Sequence, residues 1–249
     1  GSESYKANLN SVIHFTGLKY STTKAKIDGK EKSVSISEAR SYDLLSLTQS
    51  EIRPDGDLER SLRNNKFRKY LIDSSEWSIH KFMSNYVPTR YINGFKLEEK
   101  YTRADVFRIL DWEKQPIELN VGGYLKSRDN TKCPIFVTYN KADHISDSTK
   151  YEDEFISRHE ILTISKNGQG INGDTVSAIR KNTETGMRIP LFIKKSDDSD
   201  GKDFYFISEL SALHDMFEES TMDENKVTRM FFRLNQPLSS NLYHYITSE

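Results

Sequence analysis

The chain holds 249 residues, 35% hydrophobic and 29% charged, with a net charge of -1 and a mean hydropathy of -0.70. That length suits one large domain or two small ones with a buried core, and no apolar run approaches the length of a membrane span. The charge is slightly basic over residues 1–98 and acidic beyond, which excludes recognition of nucleic acid through a whole-molecule positive field and leaves only a local patch.

Gly1-Ser2 reads as the scar of tag removal on a piece of a longer protein, and no signal-peptide pattern follows it. The single cysteine, Cys133, has no partner for a disulfide, and no Cys or His cluster shows zinc spacing. A reducing, cytoplasmic setting is the expectation. Residues 8–36 mix β-branched residues and lysines around Asp28-Gly29, the pattern of a hairpin. From Ser37 the spacing predicts helix. Leu44, Leu45, Leu47 and Ile52 form one apolar stripe, Leu58, Leu62, Phe67, Leu71 and Ile72 a second, and Trp77, Ile79, Phe82 and Met83 a third. Such stripes are expected in a core. The segment from Val87-Pro88 to Gly94 reads as a connection, and a domain boundary is placed near residue 98. Residues 1–98 are therefore a helical connector region with an N-terminal hairpin, and residues 99–249 a second domain.

Thr102-Arg-Ala-Asp105 resembles a capping box, with Asp where Glu or Gln is usual, and starts a short helix ending near Trp112. Beyond Gly122-Gly123 the period becomes that of strands: Ile135–Tyr139, Ile161–Ile164, Ile189–Ile193, Phe204–Ile207 and Val227–Arg233. One helix interrupts them near Thr175 to Lys181. Five or more strands with long loops and few helices predict an α+β domain, a mostly antiparallel sheet or barrel.

Catalytic signatures are missing. There is no P-loop, and Gly122-Gly123 lacks the spacing of a dinucleotide fingerprint. The six histidines are scattered, and no nucleophile elbow occurs. Glu98-Glu-Lys100 is a nuclease-like triplet of a kind that chance supplies in so charged a chain. The expectation is a binding module with no catalytic residue, metal or cofactor of its own. Two polar stretches stand out as candidate sites, Asp143 to Phe155 and Lys194 to Tyr205; taken alone, each also reads as a solvated turn.

Several motifs stand in order over about residues 100–246. They are Tyr101 to Lys114, Asn120-Val-Gly-Gly-Tyr124, Cys133 to Tyr139 and Ile145 to Phe155. Pro190 to Asp198 with Gly201, Asp203-Phe-Tyr205, Phe232 to Pro237 and Leu242 to Tyr245 complete the set. Together they resemble the uncharacterised C-terminal domain of SauUSI-type, modification-dependent (type IV) restriction enzymes. In that family a phospholipase-D-type nuclease and a superfamily-2 helicase ATPase precede the domain. The resemblance implies an SRA-like (PUA-like) barrel that recognises 5-methylcytosine in double-stranded DNA. It also implies that cleavage and ATP use lie in other domains of the same polypeptide, and that no membrane is involved. The stretch from Arg158 to Gln169 departs from the family in the aromatic and basic residues expected after Phe155.

A buried methyl group contributes only about 0.8 kcal/mol, roughly a fourfold preference. Reading it reliably calls for an extrahelical base in a shaped pocket with aromatic walls and a carboxylate for the N4 amine. Candidates for that pocket are Tyr139 and Tyr151 as walls, Asp143, Glu152 and Asp153 as acceptors, and Ser146 and Thr149 as hydroxyls. Lys150, Lys194, Lys195 and Arg180 are the candidates for phosphate contacts. A protein-interaction or assembly role for a restriction complex is the alternative reading.

Overall fold

A computed structural model describes residues 14–27, 30–47, 52–112, 116–117, 121–139, 153–195, 203–222 and 224–248. By contacts the chain divides after Pro88 into two compact units.

In the first unit, β1 (His14–Ile27) pairs antiparallel with β2 (Lys30–Asp43), in register from Ile27 opposite Lys30 to His14 opposite Asp43. The hairpin expected around Asp28-Gly29 is present, and its second strand runs on to Asp43, past the predicted end at residue 36. Residues 37–43 and 45–47 are strand and not the helix that their leucines suggested. Small residues recur at every second position from Ser33 through Ser35, Ser37, Ala39 and Ser41, which is the period of a strand, and cross-strand pairing overrides the apolar spacing further along. A short pair follows, β3 (Leu45–Leu47) with β4 (Ile52–Pro54). Then come α1 (Gly56–Leu62), whose cap Asp55 accepts from the Gly56 N–H, and α2 (Asn65–Asn85). The Asn64 side chain accepts from the N–H groups of Lys66 and Phe67 and so starts α2 where two donors would otherwise be orphaned. The apolar residues of α2 are not a core. Trp77 is 62% exposed, Ile79 63% and Met83 73%, so the periodicity that locates the helix does not mark burial here.

The second unit begins at Thr89, and Phe95 is already sealed in its interior. A hairpin of β5 (Tyr91–Ile92) and β6 (Phe95–Lys96) leads to β7 (Lys100–Thr102) and α3 (Arg103–Ile109). The predicted capping box is real: Thr102 Oγ1 accepts from the Asp105 N–H, and the Asp105 carboxylate accepts from the Thr102 N–H. Asp serves in place of Glu because it sits on the first turn, where a negative charge also faces the helix dipole.

Seven further strands complete the sheet: β8 (Ile135–Tyr139), β9 (Glu154–Ser157), β10 (Glu160–Ile164), β11 (Pro190–Lys195), β12 (Asp203–Ala212), β13 (Glu218–Met222) and β14 (Asn225–Leu234). The order is β8-β11-β12-β14-β10-β9, with β7 added to β12 and β13 to β14; among the described strands every pairing is antiparallel except β8 with β11. Strand β12 belongs to both halves, pairing with β11 over its first part and with β14 through Leu210–Ala212. The sheet curls until its ends meet: the Phe155 N–H on β9 donates to the Tyr139 hydroxyl on β8 at 3.3 Å. The predicted α+β fold is therefore a mostly antiparallel half-barrel, with a seam between β8 and the β9–β10 pair.

Alternation sorts the side chains into two cores. Ile135, Val137, Tyr139, Leu191, Ile193, Met230 and Phe232 face the barrel interior, closed by α4 (Asp174–Arg180) and by α6 (Ser240–Thr247); the short α5 (Asn182–Thr185) lies between them in sequence. Phe136, Phe192, Phe204 and Phe206 point the other way, onto α3 and Phe95. Strand β8 is thus buried on both faces, which explains its unbroken apolar run. Phe136 stacks on Phe192 at 5.3 Å, and such ring pairs contribute about 0.5–1.5 kcal/mol beyond their buried area. The half-exposed Arg188 closes on buried Glu209 at 2.7 Å and also donates to the Asn93 carbonyl, tying the β5–β6 turn to β12.

Candidate functional site

A cavity of about 460 Å³ opens in the second unit at the seam, within the range of about 300–1,000 Å³ common for small-molecule sites. Three structural pieces form it. From β8 come Phe136 and Thr138, from the β9–β10 side Asp153, Ile164, Ser165 and Lys166, and from the chain before β8 Gly122, Gly123 and Tyr124; Arg103 of α3 adds a cation.

The glycine segment follows the free edge of β8. The Phe136 N–H donates to the Gly123 carbonyl at 2.7 Å, and Tyr124 bridges Ile135. Gly122 has φ +64°, in the left-handed region where a side chain is strained, and a Cβ there would touch Lys166 Cε at 3.5 Å. The two sides are bridged again at Tyr124. Its hydroxyl accepts from the Lys166 N–H at 3.1 Å and donates to Gln169 Oε1. The barrel halves are therefore stitched at two tyrosine hydroxyls, Tyr139 and Tyr124, of which Tyr124 lines the cavity.

Asp153 is half-buried, and its Oδ1 accepts from the Ile164 N–H at 3.0 Å. The Lys166 ammonium donates to the Val121 carbonyl at 3.1 Å and stands 4.9 Å from the centre of the Tyr124 ring. Burial pulls the Lys166 pKa below the usual lysine value, because the interior penalises its charge. The Arg103 guanidinium lies over the rings of Phe136 and Phe204, at 5.2 and 4.8 Å. The chamber thus combines one carboxylate, two cations, two aromatic residues and the hydroxyl residues Thr138 and Ser165. That set suits a planar, polar-edged ligand. Among the described residues no group of His, Cys, Asp and Glu could hold a metal, and no helix is long and apolar enough to cross a membrane.

Of the pocket residues expected from sequence, Asp153 lines the cavity. Tyr139 is nine-tenths buried in the interior core, where burial raises its phenol pKa, and it faces away from Phe136 and Thr138. The period of the strand dictates this, since neighbours on β8 alternate faces. Asp143, Ser146, Thr149, Lys150, Tyr151 and Glu152 lie outside the described residues. Lys194 is half-buried with its ammonium 5.4 Å from the Phe204 ring, level with Thr138 in the β8–β11 register. Lys195 is buried and donates to the Ser248 carbonyl at the end of α6. Arg180 donates to the His214 carbonyl.

Sequence reasoning missed Arg103, Tyr124, Phe136, Thr138, Ile164, Ser165 and Lys166. The available signal was Gly122-Gly123 directly before an aromatic residue, the mark of close backbone approach. The Arg158–Gln169 stretch, set apart by its departure from the family pattern, contributes three of the lining residues.

A sequence family described as a domain of unknown function, DUF3427, matches residues 95–246. No curated protein matches the chain. Solved structures give slight likenesses. Kryptonite in complex with mCHG DNA and SAH is 10% identical with a TM-score of 0.38, over 59% of this chain and 33% of that one, so the chain spans about a third of Kryptonite's length. The SUVH5 SRA complex with fully methylated CG DNA is 11% identical with a TM-score of 0.38, covering 59% and 93% of the two chains. The DNA recognition domain of LpnPI, a cytosine modification-dependent restriction endonuclease, is 13% identical with a TM-score of 0.38, covering 61% and 80%.

Proposed function

This chain belongs to the DUF3427 family, and we propose that its second unit is a modified-base reader that binds double-stranded DNA and accepts a flipped 5-methylcytosine in the seam cavity. The observation that carries the reading is Asp153, a carboxylate held by a backbone N–H inside a chamber with aromatic walls. A flipped cytosine presents its N4 amine to such an acceptor, and its ring needs flat apolar contact to recover the stacking lost from the duplex. Phe136 and Tyr124, which line the chamber, are proposed to give that contact, and Thr138 a hydroxyl for the remaining edge; the Ser165 hydroxyl is committed to the Gln169 carbonyl and the Thr228 N–H. Lys194, beside Thr138 in register, is the residue proposed to meet a phosphate.

The ordered motifs from Tyr101 to Tyr245 support the wider reading, that the module belongs to an ATP-dependent restriction enzyme and directs it to methylated DNA. Cleavage and ATP hydrolysis then reside in helicase and nuclease domains elsewhere in the polypeptide, with the first unit as the connector to them, and this chain needs neither cofactor nor catalytic residue.

The test is a competitive titration at fixed salt, because phosphate contacts otherwise dominate the affinity. Methylated duplex should bind more tightly than its unmethylated twin by at least the roughly fourfold preference of one buried methyl group. Equal affinities would remove the methyl-reading claim.

A further inference from the structure

Lys166 is unusual among the cavity residues. Its backbone N–H is used on the Tyr124 hydroxyl, and its ammonium is steered by the Val121 carbonyl and by the face of the Tyr124 ring. An ammonium has three N–H donors; one goes to Val121, and the ring satisfies another only weakly. Among the described residues no carboxylate pairs with it. A half-buried ammonium favours a ligand that supplies further acceptors. Gly122 keeps the space beside the ammonium open, since its missing side chain would lie about 3.6 Å from Nζ. Asp153 lines the same cavity and is acceptor-only when ionised. The chamber therefore offers an acceptor and a strong donor to one ligand.

That pairing has a direction. The Watson–Crick edge of cytosine runs from the N4 donor to the N3 and O2 acceptors. Resting on the base-flipping reading above, we propose that Lys166 is a specificity-determining residue that donates to the acceptor side of the flipped base, N3 and O2, while Asp153 takes the amine. Charge-assisted bonds of this kind are about twice as strong as neutral ones, so Lys166 supplies a large part of the preference for an extrahelical cytosine. It does so without touching a phosphate.

The experiment titrates the full chain with methylated and unmethylated duplexes over a series of salt concentrations, for wild type, Lys166→Met and Lys166→Gln. Lys166→Met should remove most of the wild-type preference by lowering the affinity for the methylated duplex toward that of the unmethylated one, whose phosphate-driven binding and salt slope stay as in wild type. Lys166→Gln keeps a neutral donor for the Val121 carbonyl, protects the fold, and should remove a smaller part of the preference than Lys166→Met. If both duplexes weaken together and the salt slope drops by about one, Lys166 is a phosphate contact and the proposal is overturned. A methyl preference that survives both substitutions in folded protein overturns it as well. A wild-type chain that binds the two duplexes equally overturns the base-flipping reading, and this assignment falls with it.

Discussion

Replacing Asp153 by Asn separates the two tasks of that side chain. Asp153 Oδ1 accepts from the Ile164 N–H at 3.0 Å, and the Asn carbonyl can accept the same bond, so the end of β10 keeps its anchor. Loss of stability should stay within about 1 kcal/mol, the difference between a charge-assisted and a neutral hydrogen bond. Binding should suffer more. With the Asn carbonyl on Ile164, its NH₂ group replaces the second carboxylate oxygen and would meet the cytosine amine donor to donor. The expected loss is about 1–3 kcal/mol, the discrimination carried by a good base-edge contact, or roughly fivefold to 150-fold. Fluorescence anisotropy with methylated and unmethylated duplexes at constant salt reads it as a fall in the affinity ratio, and a urea titration of the same protein reports the fold. An unchanged ratio in a normally stable variant would refute the placement of the amine at Asp153.

Tyr139→Phe removes the acceptor of the Phe155 N–H at a buried position and should cost about 1–2 kcal/mol in urea unfolding. Its methylated-DNA preference should be retained, and a lost preference at full stability would bring the ring into the site. Thr102→Ala breaks the capping box of α3 and should cost about 0.5–2 kcal/mol, visible as a lower thermal midpoint. Burial of Cys133 pushes its thiol pKa up to about 12; because the thiolate is the reactive form, iodoacetamide at about pH 8 should label it only after unfolding. Native labelling at the unfolded rate would contradict that burial.

The second unit was readable from its sequence where neighbouring residues decide the outcome. Val227 to Arg233 is rich in β-branched and aromatic residues and lies within β14, and Thr102 to Asp105 caps a helix through groups three residues apart. The unit around α2 was less legible. The spacing of Phe67, Leu71, Trp77 and Ile79 locates a helix, but whether its apolar face is buried depends on what packs there, which periodicity does not encode. Leu44 to Ile52 read as helix because four apolar residues fell at helical intervals, whereas Leu45 and Leu47 pair across a short hairpin with Pro54 and Ile52. The site shows the same division. Asp153 was found through its dense polar surroundings, whereas Phe136, Thr138, Tyr124 and Lys166 meet only because the sheet curls and its two ends are stitched together. Tyr139 and Thr138 are adjacent in sequence yet face opposite sides of β8, and the register that sorts them is a property of the sheet.

The most direct test of the account is a structure of the chain bound to a duplex carrying one 5-methylcytosine. The account predicts an extrahelical base in the seam, its amine on Asp153 and its ring against Tyr124 and Phe136. A methylated base still stacked in the duplex, or lodged on another surface of the protein, would contradict it.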